Sequence, residues 1–486
     1  MDIPWLSNGE PQAEVAHSWE SASRLQRSAR SAAQRGRSSD VRREGAAWEH
    51  TSRSRNMPRQ AGTVRYSLWS MRALRKLAPG PGFTMADVPV PKLEPDEVLI
   101  EVRAASICGT DLHIYEWNPW AADHVIPPIT VGHELTGVVV DRGAHVSEPA
   151  IGQLVSVESH VICNSCAWCR TGQGHLCPNT RILGVHRDGA YAEFVAVPAQ
   201  NAWPDPPDMP LSIASLQENF GNAVHTATIP NIAGRKVLVT GSGPVGAMTM
   251  AVAKALGARA VYATDVSDYR LDLATTMGAD VVLNPLRDDV TERIAEITDG
   301  EGVDVLLEMS GASSALEEGF AALKPGGEAA LLGLVSEAFP FDLDDNIIFK
   351  GATVYGIFGR RLWQTWLEMR GLIRSGAVDL APVVTHRFAL DDFTAAFDLM
   401  QSGECGKVVM CPDPASADGP LSCWRQNDRQ DGVHPRRGAG AQGSGSVQHE
   451  SDHREPAGCA LDRQREGRPQ LLFEQLPRPG QRPQAC

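Results

Sequence analysis

A glycine-rich turn between an apolar segment and an Ala-rich segment restricts the fold of this chain more than any other feature. Lys236–Thr240 reads as a short buried strand, Gly241-Ser-Gly-Pro-Val-Gly246 follows it directly, and a helical run occupies 247–256. Gly241, Gly243 and Gly246 allow a tight turn and let the backbone approach a pyrophosphate at the helix N-terminus. Such glycines alone are often only a turn, but the flanking strand and helix favour a dinucleotide-binding domain.

An acidic residue follows the next predicted strand. The segment Ala260–Thr264 is apolar, and Asp265 comes directly after it. An acid at this distance from the glycine turn accepts hydrogen bonds from the adenosine ribose and repels the 2′-phosphate of NADP. Arg270 is a contrary signal, because a nearby cation can accept that phosphate. We expect NAD as the cofactor, with Arg270 packing near the adenine.

The pattern of apolar and helical segments extends this domain. Strands are predicted at 280–283, 303–308, 328–334 and 353–357, and helices at 290–298 and 314–323. This alternation is typical of a doubly wound parallel sheet. Residues 71–200 differ, because they combine short strands with many Pro and Gly residues and little helix. They predict a mainly β domain, which the segment 351–414 returns to complete.

Four closely spaced cysteines predict a metal site. Cys163, Cys166 and Cys169 are separated by two-residue gaps, and Cys177 follows after seven further residues. Two-residue gaps allow the thiolates of one loop to converge on a tetrahedral ion, and a four-sulfur shell is typical of structural zinc. An iron–sulfur cluster uses the same ligands at similar spacing and is the alternative.

A second constellation predicts an open metal site. Cys108, Thr110 and His113 lie within six residues, and His133 and Glu134 follow about twenty residues later. A catalytic zinc ion needs three protein ligands and one open position. Cys108, His133 and Glu134 can supply those ligands. Each alone is more simply a buried thiol, a core histidine or a surface acid, but together they indicate a metal.

Charge and composition exclude some classes and divide the chain. The net charge of −14 disfavours a nucleic-acid partner, and the absence of a long apolar run or a signal-like N-terminus predicts a cytoplasmic protein without a membrane span. All seven lysines lie between Lys76 and Lys407. Residues 1–70 and 415–486 are Arg-rich and lack sustained apolar periodicity, so we interpret them as disordered tails around a folded 71–414.

Across 71–414 the chain resembles the zinc-containing alcohol dehydrogenase (medium-chain dehydrogenase) superfamily and, within it, the bacterial L-threonine 3-dehydrogenase family. The resemblance is carried by Gly132-His-Glu134, the four-cysteine lobe, the glycine turn, Ile107-Cys-Gly-Thr-Asp-Leu-His-Ile-Tyr115, Gly221-Asn-Ala-Val-His-Thr-Ala227, Leu307-Glu-Met-Ser-Gly311 and Thr385-His-Arg-Phe388. It implies a GroES-like catalytic domain at 71–217 that is completed by 351–414, and a Rossmann domain at 218–350. The implied activity is NAD-dependent oxidation of L-threonine to 2-amino-3-oxobutyrate by a homotetramer with two zinc ions per subunit, one catalytic and one structural.

The resemblance also implies roles for individual residues. The catalytic metal ligands of the family correspond to Cys108, His133 and Glu134, its proton relay to Thr110 and His113, and its acid near the metal to Glu218. The implied cofactor contacts are Val245, Asp265, Arg270, Leu332, Gly333, Leu334, Ile357 and Phe358. One departure from the family is Asn219, where relatives usually have a proline after the acid.

Two other functions stay open at this point. The first is a zinc-dependent dehydrogenase for polyols or secondary alcohols, because substrate choice depends on pocket shape. The second is a non-catalytic protein that binds dinucleotide and zinc, against which the intact open site argues.

The C-terminal tail suggests a functional link to another enzyme. Reading the codons of 466–483 one base to the right permits a string that resembles the N-terminal region of 2-amino-3-ketobutyrate coenzyme A ligase, so we interpret 415–486 as a frameshifted tail and expect a functional link to that ligase.

Overall fold

The computed structural model describes residues 70–411. The predictions of disordered or out-of-frame tails therefore lie outside the described residues. Within them, a six-stranded parallel sheet is accompanied by a seven-stranded, mainly antiparallel sheet and two smaller sheets. The predicted fold class, a doubly wound domain joined to a mainly β domain, is confirmed. No helix among residues 70–411 is both long and apolar enough to cross a membrane.

The described secondary structure consists of short strands and helices. The strands are β1 Ser70–Lys76, β2 Thr84–Pro89, β3 Glu97–Ser106, β4 Ile129–Thr130, β5 Glu134–Arg142, β6 Leu154–Val157, β7 His160–Val161, β8 Arg181–Ile182, β9 Phe194–Pro198, β10 Ala202–Pro204, β11 Lys236–Thr240, β12 Ala260–Thr264, β13 Val281–Leu283, β14 Val303–Glu308, β15 Leu323–Leu331, β16 Thr353–Gly356, β17 Val384–Ala389 and β18 Lys407–Cys411. The α-helices are α1 Gly109–Glu116, α2 Pro119–His124, α3 Ala167–Arg170, α4 Leu211–Ser215, α5 Gln217–Thr228, α6 Pro244–Ala255, α7 Asp268–Thr276, α8 Val290–Ile297, α9 Ser313–Ala322, α10 Gln364–Arg374 and α11 Phe393–Ser402.

The parallel sheet has the strand order β13-β12-β11-β14-β15-β16. Every residue of β11 is buried, which explains its apolar composition, because parallel strands are covered on both faces. The chain order reverses between β11 and β14. In doubly wound sheets, ligands bind at this reversal, outside the carboxyl ends of the strands.

The last strand of the parallel sheet lies just beyond residue 350, where the family resemblance placed the end of the Rossmann domain. Strand β16 (Thr353–Gly356) pairs in parallel with β15 and forms the edge of the six-stranded sheet. The sheet therefore extends beyond the segment that was assigned to it. The strand itself was predicted at 353–357 in the same alternation, and its observed bounds lie within that range.

The mainly antiparallel sheet brings three distant segments together. Its order is β10-β6-β5-β3-β18-β17, and β9 also pairs with β3. Ser106 at the end of β3 lies opposite Glu134 at the start of β5, and Val409 of β18 lies opposite Ser106 on the other side. The first residue of β18, Lys407, is thereby carried towards the same corner of the sheet. This corner holds the first candidate metal site.

Helix α5 is almost entirely internal. Ten of its twelve residues are buried, and Phe220, Ala223, Val224 and Ala227 belong to the largest hydrophobic core. A helix that is buried on this much of its surface is held by packing rather than by its own propensity. Its first turn carries Glu218 and Asn219, so those two side chains are fixed by the core.

Candidate metal and cofactor sites

The first candidate metal site combines Cys108, His133 and Glu134. One ligand atom from each side chain lies within 4.8 Å of those of the other two. Cys108 is the N-cap of α1, His133 directly precedes β5, and Glu134 is the first residue of β5. His133 and Glu134 are buried and Cys108 is half-buried. Three protein ligands that leave one side open are the arrangement of a catalytic zinc site.

A buried aspartate supports His133. Asp111 Oδ1 is 3.3 Å from His133 Nδ1, and Asp111 Oδ2 accepts hydrogen bonds from the Tyr191 hydroxyl at 2.7 Å and the Cys108 amide at 3.0 Å. Burial alone would lower the pKa of His133, but the charges of Asp111 and Cys108 outweigh it and raise this pKa well above its usual value. The same negative charge would be compensated by a metal cation, so the residues fit a zinc ion. Aspartates of this kind orient metal-binding histidines.

A buried lysine supports Glu134. Lys407 Nζ is 2.8 Å from Glu134 Oε1 and 2.6 Å from Oε2, and it also donates to the Ile107 carbonyl at 2.9 Å. The Ser106 hydroxyl donates to Glu134 Oε2 as well. Burial alone would lower the pKa of Lys407, but the charge of Glu134 raises it, so the lysine stays charged. Lys407 therefore fixes the third ligand and partly neutralises it.

Glu218 lies in a separate group of ionisable side chains. Its Oε1 atom is 2.8 Å from Arg360 Nη2 and accepts a hydrogen bond from Ser159 Oγ at 2.5 Å. Arg360 Nε donates to Glu158 Oε2 at 2.8 Å. Burial alone would raise the pKa of Glu158, but Arg360 holds it far below its usual value. Glu158, His160 and Glu218 could geometrically hold a metal, but the buried guanidinium already supplies the cation, so this group is an ion-pair network.

Asn219 contacts Cys108, and Thr110 and His113 follow Cys108 on helix α1. Asn219 is 3% exposed, and its Nδ2 atom is 4.0 Å from Cys108 Sγ. Thr110 is half-buried, and His113 is exposed one helical turn further along α1, with its ring 6.4 Å from that of Trp120. Residues three apart on a helix share a face. Thr110 and His113 therefore share a face of α1, the helix that begins directly after Cys108.

The second candidate metal site is the four-cysteine lobe. The sulfur atoms of Cys163, Cys166, Cys169 and Cys177 all lie within 4.8 Å of one another, and four of their six separations are 3.5 to 4.0 Å. Four sulfurs at about 2.3 Å from one tetrahedral zinc ion lie about 3.8 Å apart. An iron–sulfur cluster would hold its cysteines further apart, since the cluster itself occupies the space between them. The geometry therefore favours a single zinc ion.

Hydrogen bonds favour the thiolate form of one of these sulfurs, which is the form that binds a cation. The backbone and hydroxyl of Ser165 donate to Cys163, and together they lower the pKa of its thiol to about 5. Burial and the neighbouring thiols raise the pKa of Cys169 to about 12. Thiols that share protons in this way bind a metal with release of those protons.

The predicted cofactor residues line the carboxyl ends of the parallel strands. Gly241 follows β11, Asp265 follows β12, the segment 332–334 follows β15, and Ile357 and Phe358 follow β16. Leu334 is 85% exposed and Phe358 is 57% exposed. Exposed apolar side chains at the carboxyl ends of parallel strands are suited to cover the rings of a bound ligand.

Two positions of the glycine turn exclude any side chain. Gly241 has a φ of +88°, and a Cβ atom there would lie 2.7 Å from the side chain of Ser310. A Cβ atom at Gly246 would lie 1.9 Å from the Gly241 carbonyl oxygen. Gly243 caps helix α6, and Val245 lies in its first turn. The turn therefore leaves the backbone open to a pyrophosphate at the helix N-terminus.

Asp265 is held by backbone amides at the carboxyl end of β12. Its Oδ2 atom accepts from the Ser242 amide at 2.8 Å, and its Oδ1 atom accepts from the Ser267 amide at 2.9 Å. Arg270 Nη1 is 3.8 Å from Asp265 Oδ2. The positive charge of Arg270 is therefore partly compensated by Asp265, which weakens its attraction for a 2′-phosphate.

Comparison with known proteins agrees with these sites. Residues 94–207 match the alcohol dehydrogenase GroES-like domain, and residues 244–375 match the zinc-binding dehydrogenase family. The chain is 50% identical over 345 residues to an L-threonine 3-dehydrogenase of Symbiobacterium thermophilum, which covers 71% of this chain and 98% of the relative. The chain belongs to the L-threonine 3-dehydrogenase family. It is thus a zinc-binding dehydrogenase that uses a nicotinamide cofactor.

Solved structures of wider relatives share the fold. A protein of Sinorhizobium meliloti, described as a zinc-binding dehydrogenase and solved with NADP, is 30% identical with a TM-score of 0.65, and the match covers 71% of this chain and all of that one. The 2R,3R-butanediol dehydrogenase of Bacillus subtilis is 28% identical with the same TM-score and the same coverage. Dehydrogenases named for different substrates therefore share this scaffold.

Several residues of the family site escaped the sequence analysis. Asp111 lies in the same short string as Cys108 and could have been found as a candidate partner for a metal-binding histidine. Lys407 and Arg360 could not, because they stand 273 and 202 positions from the acids that they pair with. No local pattern marks such pairs.

Proposed function

We propose that the chain catalyses the NAD-dependent oxidation of L-threonine to 2-amino-3-oxobutyrate, as a step of threonine degradation. The observation that carries the proposal is the convergence of Cys108, His133 and Glu134 within 4.8 Å in a chain that is 50% identical to a protein named L-threonine 3-dehydrogenase. The reaction removes a hydride from the carbon that bears the hydroxyl and a proton from the hydroxyl itself. NAD takes up the hydride, and the proton leaves to solvent.

The two metal sites have different roles in this proposal. Cys108, His133 and Glu134 would hold a catalytic zinc ion, and the four cysteines would hold a structural one. A zinc ion at the first site would act as a Lewis acid that lowers the pKa of the substrate hydroxyl. Asp111 and Lys407 would keep His133 and Glu134 in place while the substrate binds.

Thr110 and His113 would carry the proton away. The Thr110 hydroxyl can accept a proton from the substrate side and donate one towards His113, whose exposed ring exchanges protons with water. Glu218 would assist proton transfer near the metal, and Arg360 and Ser159 would fix its carboxylate. Replacement of His113 by alanine should lower kcat and change its pH dependence, and an unchanged pH–rate profile would argue against the relay.

The cofactor in this proposal is NAD rather than NADP. Asp265 would accept hydrogen bonds from the adenosine ribose and repel a 2′-phosphate. The crevice contacts would come from Gly241, Gly243, Val245, Gly246, Arg270, Leu332, Gly333, Leu334, Ile357 and Phe358. The nicotinamide ring would supply the hydride acceptor.

Further elements of the proposal rest on the family resemblance. We expect a homotetramer that acts in the cytoplasm and has no nucleic-acid or membrane partner. The product is a β-keto acid with an amino group, and we expect 2-amino-3-ketobutyrate coenzyme A ligase to consume it. These expectations stay predictions.

A substrate panel tests the function. The full chain, loaded with zinc, is supplied with NAD or NADP and with L-threonine, sorbitol, ethanol or 2,3-butanediol, and NADH or NADPH formation is followed by absorbance. The proposal expects the highest kcat/KM with L-threonine and NAD. Preference for the diol or polyol would keep the metal chemistry but reassign the substrate. A folded, zinc-loaded protein that turns over none of these would support a binding role instead.

A further inference from the structure

The amide of Asn219 faces the sulfur of Cys108 from the first turn of helix α5. Its Nδ2 atom is 4.0 Å from Cys108 Sγ, at the outer limit of an N–H···S contact, and the residue is 3% exposed. A thiolate accepts hydrogen bonds and cannot donate one, so the amide presents its NH₂ group to the sulfur. We infer that Asn219 is a positioning residue of the catalytic metal centre, whose amide hydrogen bond to the Cys108 thiolate weakens electron donation from sulfur to the metal.

The other half of the same amide supports this inference. Asn219 Oδ1 is buried and has no hydrogen-bond partner among residues 70–411. A buried acceptor without a partner carries a desolvation penalty, whereas an apolar side chain of similar shape carries none. Asparagine is therefore unfavourable for stability at this position. A role for its NH₂ group at Cys108 explains why a polar side chain is present.

The surroundings of Glu134 point the same way. Lys407 neutralises part of the charge of that ligand, and Asn219 would reduce the donor strength of the other anionic ligand, Cys108. Partners outside the ligand shell commonly tune a bound metal in this manner. Both contacts would leave more positive charge on the metal and so make it a stronger Lewis acid. The inference thus deepens the proposed function and rests on its assignment of a metal to Cys108, His133 and Glu134.

NMR of the full chain loaded with ¹¹³Cd at both sites tests the inference without relying on turnover. The mixed-ligand site and the four-sulfur site should give two separate resonances. Asn219→Leu removes the donor and keeps the volume, so more electron density passes from sulfur to cadmium and the mixed-site resonance should move downfield. The four-sulfur resonance should stay in place and serves as an internal control. Turnover of the zinc form should fall by about tenfold or more.

Asn222→Leu is the matched control on the same helix. Its side chain accepts from Arg360 Nη1 at 3.0 Å rather than facing Cys108. This control should leave both resonances in place even if it destabilises the fold. Asn219→Leu should not lower the unfolding temperature, because it removes an unpaired acceptor, and Asn219→Ala is a second donor-free variant if the leucine does not fit. Two resonances that are unmoved by both Asn219 variants would overturn the inference. A four-sulfur resonance alone would instead overturn the metal assignment on which it rests.

Discussion

Replacement of Arg360 by methionine should destabilise the fold strongly. Arg360 is fully buried and bridges two buried carboxylates, with Glu158 Oε2 at 2.8 Å from its Nε atom and Glu218 Oε1 at 2.8 Å from its Nη2 atom. Methionine fills similar space but leaves both acids without a counter-charge. Breaking a buried pair by removing one partner costs about 3–5 kcal/mol. The unfolding equilibrium constant should therefore rise by about 10²- to 10⁴-fold.

The loss should depend on pH with a definite sign. In the native chain, Arg360 holds the pKa of Glu158 below its ordinary value of 4.5, so this pair contributes stability above pH 4.5 that disappears as the pH falls towards the folded-state pKa. Without Arg360, burial raises the pKa of Glu158 above 4.5. The variant then loses stability as the pH rises from 4.5 towards this raised pKa of Glu158. The difference between the two proteins should accordingly be larger at about pH 8 than at about pH 5.

Equilibrium urea unfolding at these two pH values is the assay. Arg293→Met is the matched control, because Arg293 pairs with Glu296 on the surface, where both side chains are about half exposed. Exposed pairs contribute about 0–1 kcal/mol. The double variant Arg360→Met with Glu158→Met should recover part of the loss, since it removes one of the two acids left without a counter-charge. Equal losses for Arg360→Met and Arg293→Met, or a loss that does not change with pH, would refute the reasoning.

Three further predictions address the metal lobe, the cofactor and pH stability. Cys177→Ser should remove one of the two zinc equivalents per chain in metal analysis, and full retention of zinc would contradict the four-sulfur site. Asp265→Ser should lower kcat/KM for NAD and raise it for NADP, so an unchanged ratio would dismiss the role of this acid. Burial lowers the pKa of His225 to about 4, whereas the unfolded chain takes up this proton near 6.5, so stability should fall as the pH drops from 6.5 to about 4. His225→Gln should flatten that decline in thermal unfolding, and a decline as steep as before would point to other groups.

Local sequence spacing was sufficient for much of the architecture. The gaps between Cys163, Cys166, Cys169 and Cys177 predicted a lobe whose sulfurs do converge, because the ligands belong to one loop. The glycine turn could be predicted equally well, because neighbouring backbone or side-chain atoms leave no room for a Cβ atom at Gly241 or Gly246. In both cases the physical constraint acts between residues that are close in the chain.

The residues that hold the acids of the site in place could not be predicted from the sequence in the same way. Lys407 reaches Glu134 only because β18 pairs with β3, and Arg360 reaches Glu158 only because the segment after β16 returns to the antiparallel sheet. Such contacts are set by tertiary topology. The sequence alone does not show which of its cations will pair with a given buried acid.

The most direct test of the account compares kcat/KM for L-threonine and NAD between the zinc-loaded full chain and its Cys108→Ala variant. We predict ready turnover by the native chain. In the variant we expect a loss of about a thousandfold or more, since Lewis-acid activation is worth several kcal/mol, together with the loss of one zinc equivalent. A variant that oxidises L-threonine as fast as the native chain would contradict the assignment of Cys108, His133 and Glu134 as the catalytic centre.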